Sequence, residues 1–367
     1  MSVSYTWVGW TKHKKRYDAV LLVAVALFLA AFIGLSLVGP VASRPSLPIV
    51  LIRALGLCAI LMLHIVLWIG PLARLDRRLL PLLFNRRHLG VATFFVALAH
   101  ATLSVLWYHG FGNLNPLVSL LASNTNYLSF SRFPFEVLGL AALAILFLMA
   151  ATSHDFWNRN LSARTWKRLH MLVYWAYALL VGHVALGAMQ SERHPLLAAA
   201  LLLGVGVTAG LHIVAGSREV RVDRGVALAP DGTFIDACSI DEIPEGRARI
   251  VCPRRAGGTG TRGSLCHERI AIFRHGGTIS AVSNVCVHQG GPLGEGKIID
   301  GCITCPWHGW QYRPADGQSP PPFHEKIPTY EVRISGRRVL VNPRTLPPGT
   351  PTPPAAIPPD EPPHTPA

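Results

Sequence analysis

Cys286-Val287-His288-Gln289-Gly290-Gly291-Pro292 and Gly301-Cys302-Ile303-Thr304-Cys305-Pro306-Trp307-His308-Gly309-Trp310 are two glycine-bearing stretches, each with a closely spaced cysteine and histidine. Sixteen residues separate His288 from Cys305. Two thiolates and two imidazoles in this pattern suit a [2Fe–2S] cluster whose thiolates hold one iron and whose imidazoles hold the other. Thiolates stabilise the iron that stays ferric, and imidazoles on the iron that accepts the electron raise the potential above that of an all-cysteine cluster. Zinc is the alternative for four such ligands, although zinc fingers space them differently. Glycine and proline let two loops close over the cluster with backbone N–H groups directed at sulfur. Around these loops, short alternating runs such as Arg269-Ile270-Ala271-Ile272-Phe273 and Val339-Leu340-Val341 predict a small all-β domain over residues 246–342.

The remainder of the 367-residue chain is of another kind. Hydrophobic residues make up 50% and charged residues 15%, too apolar for an ordinary soluble protein. Six apolar blocks, near 19–39, 49–71, 89–108, 135–153, 168–189 and 195–215, are each long enough to cross a bilayer as a helix. The expected fold is a membrane all-α six-helix bundle over residues 1–216, then a linker over 217–245, the β domain, and a proline-rich tail over 343–367 expected to be disordered. No internal repeat is evident. Lys12, Lys14, Lys15 and Arg16 precede the first block, but no small-residue cleavage site follows, so no cleavable signal peptide is expected.

Basic residues cluster in the N-terminal segment, after the second block (Arg74, Arg77, Arg78, Arg86, Arg87), after the fourth (Arg159, Arg164, Lys167, Arg168) and after the sixth (Arg218, Arg221, Arg224). The alternate loops hold Arg44, Arg132 and Arg193. The positive-inside rule then places both termini and the β domain in the cytoplasm, with the bundle in the cytoplasmic (inner) membrane. The net charge of +14 is largely this loop charge, so nucleic acid is not an expected partner. Seven cysteines, two of them in cluster positions, do not read as a disulfide framework.

Histidines inside apolar blocks are functional candidates. His100 lies roughly 18 Å and His183 roughly 22–24 Å from the cytoplasmic ends of their helices, the best-matched pair for clamping a haem between two helices. His170 lies only about 5 Å deep. His64 reads as a helix–helix hydrogen bond and His88 as an interfacial residue.

Residues 246–342 resemble the Rieske ferredoxin family, including the trailing Ser319-Pro320-Pro321-Pro322 segment. The resemblance implies a [2Fe–2S] cluster on Cys286, His288, Cys305 and His308. Quinol-oxidising members carry an extra cysteine in each cluster loop and a serine donor near the cluster. Gly291, Trp307 and Trp310 stand at those positions here, whereas Tyr312 retains a donor. That places the expected potential near the low end of the range, on the order of −150 mV or somewhat higher.

Arg86-Arg87-His88-Leu89-Gly90 leads into a block with His100. Thr152-Ser153 is followed by Trp166-Lys167-Arg168-Leu169-His170-Met171-Leu172-Val173-Tyr174 and then His183. With six blocks, this resembles the ferric reductase-like transmembrane family, and within it the haem-binding membrane subunits of periplasmic methionine sulfoxide reductase systems. The resemblance implies one or two haems b held through His100, His170 and His183. Relatives that reduce iron or oxygen carry a flavin- and nicotinamide-binding domain, and no Gly-x-Gly-x-x-Gly follows a plausible strand here.

The expected function is single-electron transfer between a cytoplasmic cluster and haem b, toward an external acceptor. Redox proteins or quinone are the expected partners, besides the lipid bilayer. A terminal ferric-chelate reductase is the alternative. A Rieske oxygenase needs an iron held by two histidines and a carboxylate, and no domain to hold it follows the cluster segment.

Overall fold

The computed structural model describes residues 12–38, 45–153, 157, 161–191, 195–223, 234–253, 268–307 and 309–359. They fall into two compact units. The first comprises Met1–Pro71 and Asn85–Leu211, and the second Leu72–Phe84 and His212–Ala367.

The first unit is helical: α1 (Lys12–Ser36), α2 (Leu47–Leu75), α3 (Arg86–His109), α4 (Pro116–Ala122), α5 (Phe135–Ala151), α6 (Ala163–His170), α7 (Val173–Leu186), α8 (Ala188–Ser191) and α9 (Pro195–Asp223). Among the described residues, five helical segments are long and apolar enough to cross a membrane, and the apolar α5 is shorter. Side chains such as Val20, Leu22, Leu27, Leu202 and Ile213 are exposed, as expected of helices that are apolar all round and face lipid. α2 is the most enclosed of the long helices, with Ala54 and Leu67 fully buried. Its Leu63 and Leu67 pack on Val173 of α7. A second cluster joins Phe94 of α3, Ala142 and Leu146 of α5, and Ala176 of α7.

Local chemistry sets the helix ends. Pro116 opens α4, with the Asn115 side chain accepting from the Leu117 N–H, and Ser162 caps α6 by accepting from the Thr165 N–H. The fifth apolar block, expected to run over 168–189, breaks at Met171 and Leu172 between α6 and α7. The sixth continues as α9 to Asp223. That shortens the expected 217–245 linker from its start, and strand β1 (Ile235–Ser239) shortens it from its end.

The second unit is β-rich and antiparallel. Besides β1 it contains β2 (Ala248–Val251), β3 (Ile270–His275), β4 (Thr278–Ser283), β5 (Lys297–Ile299), β6 (Cys302–Thr304), β7 (Gln311–Tyr312), β8 (Thr329–Tyr330), β9 (Val332–Ser335), β10 (Arg338–Val341) and β11 (Ala355–Ala356). The sheets run β1-β10-β9, β11-β4-β3-β2 with β8 beside β4, and β5-β6-β7. Ile270 and Ile272 face one core, while Ala271 and Phe273 face another, as strand alternation requires.

The last turn of α2 with the segment after it, through Phe84, and the end of α9 from His212 belong to this second unit. Within it Arg74 pairs with Glu295 at 3.2 Å, Arg218 donates to the Leu75 carbonyl at 3.0 Å, and Arg269 pairs with Glu219.

Two expectations need correction. The tail is ordered through residue 359: β11 pairs with β4, the Ile357 N–H bonds to the Gly277 carbonyl at 2.9 Å, and Ile357 packs on the β core. Residues 360–367 lie outside the described residues. Cys252 is disulfide-bonded, whereas Cys58, Cys238, Cys286, Cys302 and Cys305 form no disulfide.

Candidate redox sites

Two tight loops build the site of the β unit. One follows β4 and the other links β6 to β7. In the first, the Cys286 N–H donates to the Gly291 carbonyl and the Gly290 N–H to the Cys286 carbonyl, at 2.9 and 2.7 Å. In the second, the Cys305 N–H donates to the Trp310 carbonyl and the Gly309 N–H to the Cys305 carbonyl, at 2.7 and 2.9 Å. Gly309 has φ +71°, a left-handed conformation that glycine adopts without steric cost. The loops bring the buried thiols of Cys286 and Cys305 within hydrogen-bonding reach of each other.

Cys305 draws the Cys286 thiol below its ordinary pKa, and Tyr312 and the backbone N–H groups of His288 and Gln289 help, against the effect of burial. The Tyr312 hydroxyl sits 3.3 Å from Cys286 Sγ. Burial, then the neighbouring Cys286, push the Tyr312 pKa up, so its proton stays available for donation to sulfur. Thiolate sulfurs ringed by N–H and O–H donors are the environment a cluster needs.

His288 stacks on Trp310, with ring centres 4.3 Å apart and planes 7° apart. Trp310 also meets Phe323 at 4.5 Å, and its Nε1–H donates to Ser319 Oγ at 3.1 Å. Its donor is therefore directed at the Ser319 segment. A Cβ on Gly291 would come 2.7 Å from Cys305 Sγ and 3.2 Å from Trp307, so these two loop positions face each other and tryptophan fills the space. His308 lies outside the described residues. Cys302 is a free thiol whose pKa burial pushes up, the opposite of a reactive cysteine.

Replacing Tyr312 with phenylalanine removes one donor from sulfur. It is expected to lower the cluster potential by on the order of 40–60 mV, about 1 kcal/mol of preferential stabilisation of the reduced form. Redox titration followed by EPR measures it.

The helical unit brings the rings of His100 on α3 and His183 on α7 together, nearly perpendicular to each other. Their ring centres are 6.3 Å apart, with planes at 85°. His100 Nδ1 lies 2.9 Å from the Ile52 carbonyl of α2, and His183 Nδ1 lies 2.9 Å from the Phe135 carbonyl at the start of α5. Each ring thus carries its proton on Nδ1 and keeps the Nε2 lone pair for a metal. Metal–imidazole bonds are about 2 Å long, so two imidazoles on one iron have ring centres roughly 6 Å apart. The observed separation fits axial ligation of the expected haem.

The two half-sites repeat each other. Ile52 and His100 are 48 residues apart, as are Phe135 and His183. A glycine lies four residues beyond each carbonyl, and its missing Cβ admits the imidazole: a Cβ would sit 2.9 Å from His100 at Gly56 and 2.8 Å from His183 at Gly139. This repeat corrects the expectation that the chain has none. The reading of single residues missed Ile52, Gly56, Phe135 and Gly139, and a carbonyl-x3-Gly-x43-His spacing found twice was the available signal.

His170 is not brought to this pair. It ends α6, its Nδ1 lies 3.1 Å from the Trp166 carbonyl, its Nε2 faces Ser153 Oγ at 3.4 Å, and its ring stacks on Trp166 at 3.8 Å. His88 pairs with Asp18 of α1 at 2.8 Å. Both nitrogens of His64 are engaged, by the Ile60 carbonyl at 2.7 Å and the Tyr177 hydroxyl at 3.0 Å.

Comparison with known proteins agrees with both halves. The Rieske [2Fe-2S] domain family matches residues 236–331, and the ferric reductase like transmembrane component family matches residues 54–181. The biphenyl dioxygenase ferredoxin subunit of Pseudomonas sp. (strain KKS102) is 35% identical over 113 residues, 30% of this chain and 92% of that protein. The protein-methionine-sulfoxide reductase heme-binding subunit MsrQ of Brucella ovis is 31% identical over 181 residues, 49% of this chain and 74% of that protein. Among solved structures, the ferredoxin of carbazole 1,9a-dioxygenase from Nocardioides aromaticivorans IC177 is 21% identical with a TM-score of 0.26, over 30% of this chain and 99% of that one.

A chain with apolar membrane-length helices and a β domain of this kind is a membrane electron-transfer protein. It belongs to the ferric reductase-like transmembrane family, with MsrQ-like relatives, and carries a Rieske [2Fe–2S] domain.

Proposed function

We propose that this protein relays single electrons between a cytoplasmic Rieske cluster and haem b held in a six-helix bundle, toward an acceptor outside the cytoplasm. The observation that carries the reading is the facing pair His100 and His183, 6.3 Å apart, with both Nδ1 atoms bonded to backbone carbonyls. These two are assigned as the axial ligands of one haem. Cys286, His288, Cys305 and His308 are assigned to the cluster. His170 stands apart from the pair and is the candidate ligand for a second haem. When bound, the two groups supply one-electron redox chemistry, while the protein supplies ligation, burial and distance.

The side chains do the rest. The Ile52 and Phe135 carbonyls hold each imidazole in one tautomer and one rotation. The Phe135 ring lies 5.4 Å from that of His183 and covers that side of the pair. Tyr312 and the loop N–H groups stabilise charge on sulfur. The Arg and Lys clusters support an inner-membrane topology with both termini and the Rieske domain in the cytoplasm. A cytoplasmic reductant therefore meets the cluster first, and a redox protein or quinone is the class of partner at either end.

The test is a reductive titration of the purified protein in detergent, followed by absorption and EPR. Expected are b-type haem bands together with a reduced signal near g ≈ 1.9, on the order found for Rieske ligation. The number of haem components settles whether His170 serves a second one. The order of reduction gives the downhill direction. A cluster without haem sinks the relay and leaves a membrane-anchored Rieske protein.

A further inference from the structure

We propose that His64 and Tyr177 form a cross-brace that sets the angle between the two haem-ligand half-sites, making them positioning residues for the redox centre. This rests on the assignment of haem to His100 and His183.

Each half-site is closed within itself. α2 and α3 are joined by the bond between the Ile52 carbonyl and His100. α5 and α7 are joined by the bond between the Phe135 carbonyl and His183. The mutual rotation of the halves, and with it the 85° between the imidazole planes, depends on what crosses from one to the other. Much of that is apolar: Leu63 and Leu67 on Val173, and Phe94 on Ala142, Leu146 and Ala176. Apolar faces in lipid gain little from choosing one rotation over another, whereas hydrogen bonds and close small-residue contacts are directional.

The bond from Tyr177 on α7 to His64 on α2 is such a contact. His64 is on the helix that orients His100, twelve residues beyond Ile52, and Tyr177 precedes His183 by six residues on its own helix. His64 is 5% exposed. Its Nδ1–H donates to the Ile60 carbonyl at 2.7 Å, so Nε2 accepts from the Tyr177 hydroxyl at 3.0 Å. The rings meet edge-on at 90°. α9 completes the joint. A Cβ on Gly204 would come 2.4 Å from His64 Nε2, and Thr208 accepts from Trp68 Nε1–H at 2.8 Å and lies within reach of the Tyr177 hydroxyl. With both nitrogens engaged in this way, His64 acts through the helices that orient the ligands.

The angle between axial imidazole planes governs the EPR of low-spin ferric haem: near-perpendicular planes give a highly anisotropic signal, near-parallel planes a rhombic one. The experiment compares wild type, Tyr177→Phe, His64→Leu and the double variant by EPR and haem titration, with helix content by circular dichroism as the folding control for the helical unit. Wild type is expected to show the highly anisotropic signal. Each single variant is expected to retain haem, shift the largest g value in the same direction and change the haem potential, and the double variant is expected to shift no further. An unshifted Tyr177→Phe signal, or a double-variant shift equal to the sum of the singles, overturns the brace. Loss of haem from His64→Leu but not from Tyr177→Phe makes His64 a ligand and also overturns it. Wild type without b-type haem overturns the assignment beneath the brace, a result distinct from the others.

Discussion

His183→Ala is expected to yield protein that keeps its Rieske signal and lacks the b-type haem assigned to the His100–His183 pair. The substitution removes the imidazole whose ring centre lies 6.3 Å from that of His100. It also leaves the Phe135 carbonyl without the N–H it accepts from. Loss of partners outside the ligand sphere already costs roughly 10–100-fold in metal affinity, so loss of a ligand should lower haem per protein by at least about that factor. His100→Ala should do the same, because the half-sites are equivalent. The measurement is the pyridine haemochrome ratio against cluster iron in the same sample. Full haem content in either variant would move the site elsewhere in the bundle.

Cys305→Ser is expected to do the converse, abolishing the cluster while sparing haem. Cys305 and Cys286 lie in mutual reach, and serine is a poor ligand for cluster iron because its oxygen is hard and barely ionised near neutral pH. The loops should nevertheless keep their shape. Their turns are closed by backbone bonds, such as the Gly309 N–H to the Cys305 carbonyl and the Cys305 N–H to the Trp310 carbonyl, and none uses the thiol. The expected readouts are absence of the reduced Rieske EPR signal, near-zero acid-labile sulfide, and unchanged haem bands. In the proposed relay, electrons supplied at the cluster would then no longer reach the haem on the wild-type timescale. A variant that retained the sulfide and the signal would show that this cysteine is not a ligand.

The two sites were not equally legible. The Rieske domain and its two loops were, because their signal is local: cysteine and histidine a residue or two apart, with glycine where the chain turns. The missing donor at Trp310 was legible as well, and the structure shows where its N–H goes, to Ser319. His100 and His183 could be matched by depth, but His170 could not be separated from them, because depth along a helix does not report which way a ring faces. The structural partners of the His100–His183 pair left almost no trace. They are backbone carbonyls, which any residue supplies, and only Gly56 and Gly139 mark them.

The tail was misread for a related reason. A run of prolines offers few N–H donors and no periodicity, which is the composition of disorder. It still presents a few N–H groups and side chains to the β domain. There Thr352 donates its N–H to Ala315 at 2.6 Å and Ile357 to Gly277 at 2.9 Å.

The sequence by itself determined the two-part architecture, the apolar helices and the presence of a Rieske domain, because hydrophobic length and short-range cysteine and histidine spacing are properties of contiguous chain. Tertiary structure alone decided which intramembrane histidines meet, that His64 bonds to Tyr177 rather than standing open to a metal, and that the tail joins the β sheet. Those outcomes depend on the rotation of helices about their axes and on edges offered by residues far away in sequence. Neither is encoded in any local stretch.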